Sequence, residues 1–320
     1  MGFRDGTVAE RLNMPTIRGL PVPRVPLQEQ EVIAAVLGSL DDKIELNRCM
    51  NETLEAMAQA IFRDWFVDFG PTRRKLSGIT DPIAIMGGLV QNTTRAAELA
   101  ALFPSKFGDN GLPEGWVRRT LLQCADVLSG GTPSKSNAAF WGGSVPWISP
   151  KVMTSIHVDA ADDHISLQAV KEGAKLVPIG TTLVMVRGMG LHDGMRVSQA
   201  RRELTFNQDV KAFVAKRDVP ADFLFWGILA LAPEIHGKVE SSGHGTGKLP
   251  SNRLLSATLA VPSADAVGSL TETLTTLNER IDLSRRENKT LAATRDLLLP
   301  KLMSGEIRLR DAEAMAEAVL

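Results

Sequence analysis

Cysteine is nearly absent from this chain: Cys49 and Cys124 stand far apart, with no Cys-x-x-Cys pair. That excludes a disulfide framework and a cysteine zinc site, and it suits the cytoplasm. No run of about 18 apolar residues exists, so no membrane span is expected. Met1-Gly-Phe-Arg-Asp-Gly6 carries no apolar signal core, so no secretory signal is expected either. Catalytic motifs are missing too. There is no Gly-x-x-x-x-Gly-Lys-Ser/Thr loop, no His-Glu-x-x-His and no Gly-x-Ser-x-Gly turn. Without a Pro-Pro pair, the Asn/Asp-Pro-Pro-aromatic grip of amino-methylating enzymes is ruled out. No Pro-Asp…Glu-x-Lys nuclease set is evident. The five histidines (His157, His164, His192, His236, His244) lack metal spacing and read as surface or structural residues. The expectation is a chain with no catalytic residue, no metal and no cofactor of its own.

What is present is unevenly distributed. The formal net charge is −1, yet residues 28–69 hold nine acidic and three basic residues, whereas residues 111–262 hold 13 acidic and 16 basic. The second stretch could approach phosphate; the first would be repelled by it and faces protein more naturally. A repeat underlies this division. Leu40-Asp-Asp-Lys-Ile44-Glu-Leu46-Asn-Arg48-Cys-Met-Asn51-Glu-Thr53-Leu54 returns 237 residues later as Leu277-Asn-Glu-Arg-Ile281-Asp-Leu283-Ser-Arg285-Arg-Glu-Asn288-Lys-Thr290-Leu291. Weaker matches precede each copy, Gly6-Thr7 and Leu20–Pro23 against Gly245-Thr246 and Leu259–Pro262.

Both copies read as long helices. A 4-3 spacing selects Ile33, Leu37, Leu40, Ile44, Asn47, Asn51, Leu54, Ala58 and Ile61 in the first. In the second it selects Leu270, Leu274, Leu277, Ile281, Ser284, Asn288, Leu291, Arg295 and Leu298. Such a seam, apolar at its ends and polar in the middle, points to the two helices pairing antiparallel, the alternative being that each packs separately on its own domain. Its asparagines penalise wrong registers, because an unpaired buried amide costs about 1–3 kcal/mol. The first helix is expected to start after Pro26 and to stop at Gly70-Pro71. The cluster Phe62-Arg-Asp-Trp65-Phe66-Val-Asp-Phe69 either docks a partner or folds back onto the central domain. A short helix is predicted near Thr93–Phe103. Beyond Trp116 the texture changes: Thr181–Val186 and Val210–Val214 read as strands, and Ala221–Leu231 as a helix ending before Pro233.

Five stretches carry a family resemblance: Val25–Gln30, Leu40–Ile44 with Asn51, Phe62–Phe69, Leu112-Pro-Glu-Gly-Trp116 with Ser129-Gly-Gly-Thr-Pro133, and Leu299-Pro-Lys-Leu-Met-Ser-Gly-Glu-Ile307. Together they resemble the specificity subunits of type I restriction-modification systems, in a short form with one complete target-recognition domain. The resemblance implies an α+β architecture: one mixed α/β target-recognition domain plus two long helices forming an antiparallel coiled coil. It divides the chain into a remnant of a first recognition domain (1–24), spacer helix 1 (25–70), a connector (71–110), the recognition domain (111–263), spacer helix 2 (264–310) and a tail (311–320). It implies a non-catalytic DNA-recognition subunit that directs others to a bipartite site. Its partners would be double-stranded DNA, methyltransferase subunits and a restriction/translocase subunit. S-adenosylmethionine, ATP and Mg are expected on those partners. A homodimer, a truncated gene and a non-reading assembly scaffold stay open.

The resemblance places base reading in loops of the central domain. Ser129, Gly130, Gly131, Thr132, Ser134 and Lys135 form a turn of amides, hydroxyls and one cation, with glycines that let a backbone approach DNA. Trp147 and Lys151 follow in the same style, though Trp147 also reads as core. Arg187, between glycine-rich neighbours, suits guanine or an ion pair with Asp193. Asn207 and Gln208 suit adenine or a turn cap. His244, Gly245, Thr246 and Lys248 suit phosphate. Leu40, Ile44, Asn51, Leu54, Trp65, Phe66, Leu277, Ile281, Asn288 and Leu291 are assigned to the coil and to partner binding.

Overall fold

The computed structural model describes residues 14–19, 25–242 and 246–320. Most of the expected domain remnant, and the candidates His244 and Gly245, lie outside the described residues. Two compact units emerge, one ending at Asn51 and resuming at Leu283, the other spanning Glu52–Asp282. These units cut across the segmentation expected from the sequence, because each long helix contributes to both. No helix among the described residues is long and apolar enough to cross a membrane.

The first unit is a helical pair. A helix spans Leu27–Phe62 directly after Pro26, with Glu29 in its first turn where the dipole favours an acid. A second spans Ala264–Ser304. Within this unit the two run antiparallel: Arg295 meets Asp41 at 2.6 Å, and Asn288 meets Asn47 at 2.9 Å. Ile33, Leu40, Leu291 and Leu298 are buried along the seam. Residues expected to trail off as a tail instead form a helix, Leu309–Glu317, which buries Ala312 and Ala316 against the same cluster.

The polar middle of the seam has a specific arrangement. Asn47 Nδ2 donates to Glu287 Oε2 and Asn288 Oδ1, each at 2.9 Å, and Asn288 Nδ2 donates to Ile44 O. The repeat maps Asn47 onto Ser284 and Asn51 onto Asn288. Those other two members, Asn51 Oδ1 and Ser284 Oγ, are buried with no hydrogen-bond partner among the described residues.

The second unit is built on a five-stranded sheet ordered Ala125–Ser129, Val210–Ala215, Thr182–Met185, Val197–Ala200, His157–Val158. All neighbours are antiparallel except the last pair. The apolar strands are buried because the helix Ala221–His236 packs on this sheet through Phe223, Phe225 and Trp226. That helix continues past Pro233, where the sequence suggested a stop. Pro233 forfeits the hydrogen bond that an N–H there would donate to Leu229 O, and the helix still runs three residues further, so that Ile235 beyond it is fully buried. Leu54, Ala58, Ile61, Leu270, Leu274, Leu277 and Ile281 all enter this unit's core.

The aromatic cluster folds inward. Trp65 and Phe66, assigned to partner binding, are buried among Phe103, Trp116 and Phe223 with ring centroids 5.1–5.9 Å apart. Burying these rings outweighs any gain from leaving them exposed for a partner. The first helix does end just before Gly70-Pro71, where the sequence suggested a stop. The α-helix loosens to a π turn over Arg63–Val67, and Phe69 adopts a left-handed conformation (φ 54°). Gly70-Pro71 then opens a new helix, Gly70–Leu76, because proline is tolerated in a first turn. Arg74 clamps the junction with two hydrogen bonds to Asp64 and one to Ile85 O.

Candidate nucleic-acid interface

Strand register brings most of the predicted positions to one end of the five-stranded sheet. Ser129 pairs with Lys211, and Val210 with Met185, so the segments after Ser129, before Val210 and after Met185 leave from a common edge. Asn207 N donates to Ile148 O, and Leu249 N to Val186 O, which adds the segments after Ile148 and Lys248. Residues separated by more than a hundred positions therefore converge.

Within this set the side chains have different tasks. Asn207 is buried and closes its own turn: its Oδ1 accepts from Asp209 N (3.0 Å) and its Nδ2 donates to Asp209 Oδ2. It is withdrawn as a base reader. Trp147 is also buried, and its Nε1 donates to Gly131 O at 2.9 Å. Gly130 is a glycine for internal reasons: a Cβ there would lie 2.2 Å from Asn207 O and 2.4 Å from Phe206 O. Its smallness serves the domain, not an approaching duplex. Ser129 Oγ accepts from Lys211 Nζ, and Thr132 Oγ1 donates to Gln208 Oε1 at 2.7 Å. Ser134 contacts Ser136, and Ser134 O accepts from Trp141 Nε1. The loop from Ser129 to Ser134 is thus tied down from behind, with Gly131 facing open space and Lys135 exposed. Lys151 pairs with Asp162 at 3.0 Å, both largely exposed.

Arg187 and Lys248 are arranged differently. Strand Arg187–Gly188 pairs with Thr246–Lys248, which pairs with Glu240–Ser242. The register sets Arg187 directly opposite Lys248. Neither cation makes an ion pair or side-chain hydrogen bond among the described residues, and the suggested Arg187–Asp193 pair does not form. Glu240, on the other flank of Lys248, is taken by Arg253 at 2.9 Å. Like charges opposite one another on neighbouring strands are destabilising. An anion bridging them would remove that cost. The close pairing depends on Gly247, where a Cβ would press on Leu191 Cβ (3.1 Å) and Gly188 O (3.2 Å).

Sequence reading missed a buried polar network in the same unit. Asn278 Nδ2 donates to Gln199 Oε1 and Asp222 Oδ1, each at 2.7 Å, and Asn278 Oδ1 lies 2.5 Å from His157 Nε2. Asp222 also accepts from Gln199 Nε2 and Thr275 Oγ1. Arg201 Nε stands 3.3 Å from Asp282, in ion contact without an aligned hydrogen bond. The network locks the sheet and the helix Ala221–His236 onto the segment Thr275–Asp282. Its one signal in the sequence is the pair Asn278 and Asp282, four residues apart on a helix face. No group of acidic, histidine or cysteine side chains among the described residues is arranged to hold a metal ion.

No family model matches the chain. A curated relative does: the specificity subunit of the HindI type I restriction enzyme of Haemophilus influenzae is 28% identical over 338 aligned positions, covering 95% of this chain and 72% of that protein. The chain is a homologue of type I specificity subunits. The EcoR124I/EcoR124II specificity subunit of Escherichia coli is 30% identical over 164 residues, 50% of this chain and 41% of that protein. The crystal structure of a type I restriction-modification S subunit from M. genitalium superposes with a TM-score of 0.55 at 16% identity, over 94% of this chain and 67% of that one, and so shares the fold. The two copies of the repeat, Leu40–Leu54 and Leu277–Leu291, lie wholly inside the helices Leu27–Phe62 and Ala264–Ser304.

Proposed function

We propose that the chain is the sequence-reading subunit of a type I restriction-modification complex, acting at one half of a bipartite DNA site. The cross-strand pair Arg187–Lys248 carries this reading: two cations held together without acids, at a sheet end where several loops converge. Phosphate would sit against Lys248, and Arg187 would reach a base edge, guanine O6 and N7 fitting its fork. Thr246 lies two residues before Lys248 on the same strand, and Gln208 and Lys135 belong to other loops of that sheet end. Catalysis, with S-adenosylmethionine, ATP and Mg, belongs to methyltransferase and translocating nuclease subunits. The methyltransferase would dock on the helical pair, where Leu46 and Leu283, equivalent in the repeat, are both more than half exposed. One partner surface could thus be met twice, and a second copy of this chain would restore a second reading domain.

Binding to a randomised duplex library tests the reading. Arg187→Ala should relax preference at one base pair, at about 1–3 kcal/mol. Lys248→Ala should weaken all sequences alike and lower the salt slope by about one unit. A chain that enriches no sequence is a scaffold rather than a reader; one that enriches the same motif with the same affinity in the wild type and both variants reads it through residues other than these two.

A further inference from the structure

Next to the free cations stands an apolar side chain in an unusual setting. Met189 is 74% exposed, the most exposed large hydrophobic side chain among the described residues. Single exposed apolar residues are ordinary on a protein surface. What sets Met189 apart is its support. It follows Arg187–Gly188 directly and opens a tight turn, Met189–Leu191. The foot of that turn is fixed: Leu191 is fully buried and its carbonyl accepts from His236 Nε2 at 2.8 Å. Gly247 of the cationic strand packs against Leu191 at the same place. Gly188, at φ 134°, and Gly190 flank the methionine, so no neighbouring side chain covers it. The fold holds a long, polarisable apolar group outward from a rigid base, beside an arginine and a lysine that lack acids.

We propose that Met189 is a specificity-determining residue that reads the C5 methyl group of a thymine. The inference rests on the DNA-reading role above and names part of its target. A surface that holds phosphate at Lys248 and a base edge at Arg187 brings a duplex against this turn. In the major groove the one apolar group a duplex presents is the thymine methyl. An unbranched thioether adapts to such a contact better than a stiff side chain.

Uracil, which is thymine without that methyl, supplies the test. The full chain would be selected against a randomised duplex library made with thymine and against the same library made with uracil. The wild type should enrich a motif with thymine at one position, and the uracil library should weaken that preference about fourfold, the value of burying roughly one methyl. Met189→Ala should show the weakened preference already with thymine and lose nothing more with uracil. Met189→Leu should keep it, and all three should melt at the same temperature. Three results overturn the inference: a thymine-free motif, a Met189→Ala variant that still discriminates thymine from uracil, or equal losses on both libraries, which would mark a wedge between base steps. If the wild type enriches nothing, DNA reading itself falls and takes this inference with it.

Discussion

The two copies of the repeat meet different surroundings, and equivalent residues take different chemistry from them. Asp41, in the helical pair, is an exposed carboxylate paired with Arg295. Its counterpart Asn278 is fully buried and joins His157, Gln199 and Asp222. Glu45 lies exposed beside Arg48, whereas its counterpart Asp282 is buried beside Arg201. A repeat therefore specifies a helix and its apolar stripe. What a polar residue on that helix does is decided by what packs against it. The carboxylates Asp41 and Glu45 of the helical pair keep water as a partner. In the domain their counterparts are desolvated and must be matched.

The largest expected effect comes from unmatching one of them. Arg201→Met would take the Arg201 guanidinium away from the buried Asp282 carboxylate, at a cost of up to about 3–5 kcal/mol. Arg48→Met, the corresponding change beside Glu45, should leave stability unchanged within measurement. Denaturant unfolding of the two purified variants compares them directly. Equal losses would mean that the network is not a structural lock and that the contrast between the copies is only apparent.

A second comparison sits inside the seam. Asn47 is satisfied by Glu287 and Asn288, while the related pair Asn51 and Ser284 keeps two orphaned oxygens. Asn47→Leu should strand Asn288 and cost about 1–3 kcal/mol. Ser284→Ala removes an unsatisfied hydroxyl and should be neutral or stabilising by up to about 1 kcal/mol. Thermal melts that ranked the two variants the other way would show that the seam is registered by Ser284 and not by Asn47.

The helical pair was readable because periodicity records a continuous apolar face: all 18 seam positions are buried or partly buried. The site was readable only in outline. Arg187, Lys135 and Lys248 stood out as cations in glycine-rich or polar loops, and those loops do lie at one sheet end. Asn207 and Trp147 looked like readers because their side chains carry suitable donors. Nothing in a linear sequence tells that Asp209 and Gly131 use those groups first. The opposition of Arg187 and Lys248 depends on a pairing between strands about sixty residues apart, which local pattern does not encode. The aromatic cluster was legible as important and illegible as to where it faces.

The smallest effect sharpens the first comparison. The Glu45 carboxyl is held below its ordinary value of 4.5, chiefly by the hydrogen bonds Arg48 donates to it at 2.9 and 3.0 Å, with burial opposing. Because the folded value lies below the unfolded one, this contact contributes fully above about pH 4.5 and fades as the pH falls through the folded value. Arg48→Ala should return the Glu45 carboxyl toward 4.5, read as a shifted midpoint in an NMR titration of its side-chain carbon. The acid limb of the stability curve should hardly move, since both groups are solvated and salt screens them. A large change in acid stability would show that this exposed pair does the same work as the buried one, and the distinction between the two copies would not hold.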